Sequence, residues 1–206
     1  RDAIPAPSNK AMKARALAGL NQMAKDGFVA VHDAGLNSSM MLALEQLEAE
    51  NLLPIKVYAM LSLRDEDLME KWIGKGPDKD LDSMLVTRSV KAYYDGALGS
   101  RGARLLFDYS DQPGHRGISG DGYGFNEALM SRAMKQGFQV AIHAIGDAGN
   151  REAIDILEKV FNEDPSTRLN RHRIEHAQIL HPDDLPRLSQ LGIIASMEPA
   201  HAVEDK

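Results

Sequence analysis

At 206 residues the chain is long enough for one domain with a sizeable core, and short of the about 250 residues of a complete eight-fold βα barrel. A net charge of −6 with no cluster of lysine and arginine argues against a nucleic-acid partner, and no apolar run reaches the length of a membrane span. There is no cysteine, so any metal would have to be held by histidine, carboxylate or modified lysine, and the compartment stays open.

Taken in order, the chain opens on Arg1-Asp2-Ala3-Ile4-Pro5, which is neither a signal peptide nor a start at methionine. A piece of something longer is the expectation. Residues 1–9 read as an irregular lead-in. Met12, Ala16, Leu20 and Met23 then recur at helical spacing until Gly27. Phe28–His32 reads as a short buried strand that turns out through Asp33-Ala34-Gly35. Ser38 or Ser39 can cap a helix carrying Met40, Met41, Leu44 and Leu47. Pro54 precedes a strand over Ile55–Leu61, and Asp65–Trp72 is a short helix with acidic residues in its first turn. Residues 74–83 are a polar loop before a strand over Val86–Tyr94. A glycine-rich stretch, 96–124, follows, and a loop of that length inside a compact domain is usually functional or disordered.

The second half keeps the same rhythm. Helix is expected over Asn126–Gln136, strand over Phe138–His143, and helix over Asn150–Phe161 with Ala153, Ile154, Leu157 and Val160 inward. The strand Arg173–His176 leads to a helix start at Pro182-Asp183-Asp184, a stripe of Leu185, Leu188 and Leu191, and a stop at Gly192. Ile193–Met197 is a sixth strand. Near-continuous apolar strands alternating with helices imply an α/β chain with a parallel sheet, either open and doubly wound or part of a barrel.

Chemistry gathers at the strand ends. His143 and His176 each close a strand, and His32 and His201 lie at or just past one, which is how a barrel brings metal ligands to one rim. His115 is expected to be exposed, His172 to meet solvent or an ion pair, and His181 to neighbour a helix start. Lys91 stands inside an apolar strand, where a lysine is costly unless it is paired, snorkels to water, or is neutral and able to take up carbon dioxide as a carbamate. Asp95, Asp147 and Glu175 could orient ligand histidines or act as caps and ion-pair members. Arg101 and Arg104 could bind a substrate carboxylate or pair with Asp108 or Asp111. Phosphate-loop and nucleophile-elbow patterns are missing from the sequence.

With these residues in view, the chain resembles the amidohydrolase superfamily, in its amidohydrolase-3 branch of N-substituted formamide deformylase-like enzymes. The resemblance is carried by Val31-His32-Asp33-Ala34-Gly35, Val90-Lys91 through Asp95-Gly96-Ala97-Leu98-Gly99-Ser100-Arg101, His143-Ala144-Ile145-Gly146-Asp147, Arg173-Ile174-Glu175-His176-Ala177-Gln178 and Ser196-Met197-Glu198-Pro199-Ala200-His201. It implies a partial TIM-like (β/α) barrel, strands two to seven of eight, as one domain over residues 1–206. It implies Lys91, usually carboxylated, with His143 and His176 as ligands of one or two divalent ions, zinc foremost. Asp147 and Glu175 would orient ligands, while Arg101 and His201 would face substrate. Nothing here matches the family's first-strand His-x-His pair or its eighth-strand aspartate. Glu198 stands where glutamine is common.

The implied activity is hydrolysis of a non-peptide C–N bond (an amide, N-formyl group or cyclic amide) in a small-molecule substrate, by metal-activated water. The alternative is a non-catalytic barrel remnant or binding module without metal. With part of the ligand set, these residues alone are expected to bind metal weakly and turn over poorly. Open sheet edges would favour a homo-oligomer or aggregation.

Overall fold

The computed structural model describes residues 5–80 and 82–204, so the first four residues of the expected lead-in lie outside the described residues. The six strands lie in one sheet in chain order and alternate with helices, the α/β arrangement expected of part of a (β/α) barrel. The chain was expected to form one domain. Its contacts divide it into two compact units, Arg1–Ser89 and Val90–Lys206.

In the first unit, α1 (Asn9–Lys25) begins where the Ser8 hydroxyl accepts from the Ala11 N–H. It packs on α2 (Ser38–Ala49), whose inward face is Met41, Ala43, Leu44 and Leu47. The cap of α2 is Asn37, whose side chain accepts from Met40 N at 3.0 Å, and not the serines after it. Ser38 is occupied elsewhere, since both its N–H and its hydroxyl donate to Asp65 Oδ2 at 2.7 Å. Asp65 Oδ1 meanwhile caps α3 (Glu66–Lys75) by accepting from Leu68 N. Partial desolvation raises the Asp65 carboxyl's pKa, but the bonds from Ser38 and Leu68 outweigh it and hold the group below its usual range.

β1 (Ala30–Leu36) pairs in parallel with β2 (Lys56–Ser62), in register from Ala30 opposite Lys56 to Ala34 opposite Met60, with a shift before Leu36. The expected buried strand at Phe28–His32 is corrected on two counts. Phe28 and Val29 precede the strand and are exposed, and Asp33-Ala34-Gly35 continue it rather than turn. Among the described residues β1 lies at the end of the sheet order, beside β2; it alternates exposed and half-buried positions as far as the buried Leu36, while β2 buries Val57, Ala59, Met60 and Leu61.

β3 (Leu85–Tyr93) runs across the boundary into the second unit. There α4 (Glu127–Lys135) leads to β4 (Gln139–Ala144), and Phe138, Val140, Ala141 and Ile142 are fully buried. α5 (Asp147–Glu163) lays Ala153, Ile154, Leu157, Val160 and Phe161 inward, and it starts three residues ahead of the expected Asn150. Asn150 is instead a buried clamp. Its amide donates to Ala144, Ile145, Gly146 and Ile179 carbonyls at 2.9–3.3 Å, tying the end of β4 to the segment beyond β5 (Arg173–His176).

His172 also departs from expectation. It is 1% exposed, with Val140 N donating to its Nδ1 and its Nε2 on Thr167 O, so the ring is neutral with the proton on Nε2. Burial pushes its pKa down to about 4. α6 (Leu185–Leu191) is held by Arg187, which bonds Asp155, Glu158 and the buried Asp184, and β6 (Ile194–Ser196) follows. β5 pairs in parallel with β4 and β6, setting Glu175 opposite His143 and opposite Ser196. The helix α7 (His201–Glu204) comes after β6.

Candidate metal centre

The rim of the second unit is built on a buried carboxylate. Asp95 is 1% exposed and accepts three backbone N–H groups: Ile145 on Oδ1, and Arg104 and Gly146 on Oδ2, each at 2.9 Å. Two glycines make room for this. A Cβ at Gly149 would stand 2.4 Å from Asp95 Oδ2, and one at Gly146 1.9 Å from the Arg104 carbonyl. Asp95 therefore fastens the end of β3, the start of the glycine-rich loop and the turn from β4 into α5. Burial raises its carboxyl's pKa against the opposing pull of the three N–H donors.

Above that anchor the histidines converge. His143 Nε2 lies 3.6 Å from Asp95 Oδ1. The His143 and His176 rings meet edge to face with centroids 4.4 Å apart, and Tyr93 lies 5.7 Å from His143. Strand alternation alone would not give this pairing. Glu175 is the residue in register with His143, so His176 would point to the other face. Instead the backbone turns left-handed, with φ of 74° at His176 and 43° at Ala177. Two such non-glycine residues in succession cost about 1–3 kcal/mol each and are characteristic of functional sites.

Lys91 is buried at 4% exposure; its Nζ donates to the Ala92 carbonyl at 3.3 Å and lies 4.2 Å from the Tyr93 ring centre. The segment after β6 also reaches His176. Glu198 Oε2 is 2.8 Å from His176 Nδ1 and 3.6 Å from His201 Nδ1, and the His176 and His201 rings stack at 6.0 Å. One ligand atom from each of His176, Glu198 and His201 lies within 4.8 Å of the others, and His201 Nδ1 is a buried atom with no hydrogen-bond partner. Imidazoles and a carboxylate, crowded at that spacing with a buried nitrogen left over, fit a divalent cation of the zinc class.

The other expected site residues make the following contacts. Asp147 Oδ1 accepts from Leu106 N and Ala148 N, both at 2.9 Å, holding the glycine-rich loop against the start of α5. Glu175 pairs with Arg173 on the same strand face at 2.5 Å. Arg101 is exposed, at φ 57°, and grips Asp111 through three contacts of 2.6–3.1 Å. His32 lies on β1 of the first unit, stacked on Tyr58 at 4.6 Å. Reasoning from sequence weighed Asp95 without choosing it and passed over Glu198 as a site residue. The spacing Glu198-x-x-His201 just past a strand was the available signal.

Among proteins of known sequence, the chain is 41% identical over 126 residues to Protein LONG AFTER FAR-RED 3 of Arabidopsis thaliana, covering 61% of this chain and 21% of that one. Among solved structures it matches an uncharacterized metal-dependent hydrolase from Pyrococcus furiosus at 28% identity and a TM-score of 0.82, over 97% of this chain and 40% of that one. Its counterpart from Pyrococcus horikoshii matches at 27% identity, also with a TM-score of 0.82, over 97% and 39%. The chain thus spans about a fifth of the curated relatives it matches and about two fifths of these two solved chains. The model of the Amidohydrolase family matches across residues 1–206, and the chain belongs to that family.

Proposed function

We propose that these residues form the central part of the active site of a metal-dependent hydrolase that cleaves a non-peptide C–N bond in a small substrate, such as an amide, an N-formyl group or a cyclic amide. The observation that carries the reading is the meeting of His143 and His176 at 4.4 Å, at the C-terminal ends of neighbouring parallel strands. Its support in kind comes from the family and from the two Pyrococcus hydrolases.

His143, His176 and Lys91 would hold one or two divalent ions, zinc foremost, with Lys91 as its carbamate. Such an ion, when bound, lowers the pKa of a water and polarises the scissile carbonyl. A lysine amine adds carbon dioxide only when neutral, losing a proton as the N–C bond forms, and a buried position such as that of Lys91 disfavours the competing cation. Asp95 keeps the β4–α5 turn and the glycine-rich loop fixed beneath the His143 ring. Asp147 shapes the same rim through Leu106. Glu175, in register with His143 and held by Arg173, is placed to steady that strand end. Arg101 would meet a substrate carboxylate by exchanging it for Asp111.

The test has two parts. Metal content of the purified polypeptide that the gene encodes should be lost in His143→Ala and His176→Ala. The polypeptide that the gene encodes should release amine from a panel of N-formyl compounds, linear amides and cyclic amides. A chain that takes up no divalent metal, or hydrolysis confined to esters in a parallel panel, would overturn the reading.

A further inference from the structure

Recognition of the family needs neither Glu198 as a carboxylate nor any metal-binding part for His201. Yet both sit against His176, in the segment that runs from β6 into α7. We infer that the segment after β6 supplies two further metal ligands, so that His176, Glu198 and His201 together bind a divalent cation of the zinc class. The inference rests on the hydrolase reading and deepens it at the same rim.

Three observations carry it. The first is spacing: one ligand atom from each residue lies within 4.8 Å of the other two, and the two contacts resolved are 2.8 Å and 3.6 Å. Ligand atoms around a tetrahedral zinc, each about 2.0–2.2 Å from the ion, stand about 3.4 Å apart, so the 3.6 Å pair already fits and a bound ion would replace the 2.8 Å hydrogen bond by a slightly wider spacing. The second is the state of His201, whose Nδ1 is buried and makes no hydrogen bond. A buried polar nitrogen left unsatisfied is costly, and an incoming cation would satisfy it. The third is the left-handed backbone at His176 and Ala177, beside which the His176 ring meets the His143 ring at 4.4 Å, the His201 ring at 6.0 Å and Glu198 Oε2 at 2.8 Å. Two imidazoles and one carboxylate are the donor types of zinc sites that keep a fourth position open. Magnesium and calcium would call for oxygen donors alone.

A simpler role for Glu198 is to accept the His176 Nδ1 proton and fix that ring's tautomer, as carboxylates beside ligand histidines do. The two roles predict different behaviour at His201. An orienting carboxylate leaves His201 irrelevant to the metal, whereas a three-ligand site requires it.

The experiment is titration of the polypeptide that the gene encodes with zinc against a chromophoric chelator, and with cobalt(II) followed by its visible spectrum. It compares wild type with Glu198→Gln, Glu198→Ala, His201→Gln, His201→Ala and His143→Ala, each checked for native circular dichroism. The expected result is binding at least about 10-fold weaker in every Glu198 and His201 variant, with a changed cobalt spectrum when His201 is replaced. Wild-type affinity and an unchanged spectrum in the His201 variants would overturn the inference. If His143→Ala alone then weakened binding, the hydrolase reading would stand without it. A wild-type chain that binds neither metal would overturn both.

Discussion

Two parts of the second unit, at the same rim, are built on opposite principles. Around Asp95 the polar groups are buried and matched: one carboxylate of 0% side-chain exposure receives three main-chain donors, and glycines at 146 and 149 admit it. Around His176 the groups are half-exposed and crowded, with side-chain exposures of 24% for His176, 48% for Glu198 and 32% for His201, and the backbone is left-handed. The first arrangement is a frame, in which each group serves the fold. The second is a set of metal-donor types in which His176 and Glu198 share one hydrogen bond and His201 Nδ1 makes none. A protein that must hold a ligand in place needs both, a rigid support and an unsatisfied edge.

Substitutions should separate the two. The largest effect is expected from Asp95→Ala, which strands three backbone donors in a buried setting and should cost about 4 kcal/mol of stability, read from urea unfolding. A cost near zero would break the contrast, because the frame would then not depend on its anchor.

The second largest effect is one of pH and belongs to His172, another fully satisfied group. Its folded pKa of about 4 lies below the ordinary 6.5, so the unfolded chain binds the proton more readily between those values. Stability is thus fully present above pH 6.5 and is lost as the pH falls towards 4, by about 3 kcal/mol from this group. Unfolding midpoints measured across that window should fall steadily in wild type and less steeply in His172→Gln.

Gly149→Ala comes next. Its new methyl would press on Asp95 Oδ2, and about 2 kcal/mol is expected from the same unfolding assay. Glu198→Gln should change stability least. Its midpoint should match wild type within error while its zinc affinity drops, which is the signature of a donor rather than a frame.

Much of this architecture could be read from the residues. The alternation of apolar strands with helices gave all six strands, and the strand-ending positions of His143 and His176 marked the rim. What stayed hidden was hidden for physical reasons. Phe28-Val29-Ala30-Val31 reads as a buried apolar run, but burial depends on what packs against each face of a strand, which local sequence does not encode. His172, flanked by arginines, looks like a surface residue, and its burial comes from Val140 and Thr167, both brought in by tertiary packing. Ser38 looks like a cap, yet Asp65 claims it from 27 residues away. At the rim, nothing in His176-Ala177 announces two left-handed residues, since glycine is the usual signal for that conformation. Alternation read literally would have separated the two histidines that the fold joins.

The most direct test of the central claim is anomalous diffraction at the zinc edge from crystals of the chain soaked in zinc. A peak is expected within bonding distance of the His176 imidazole, at the rim shared with His143. Strong peaks confined to other surfaces, with none at His176, would contradict it.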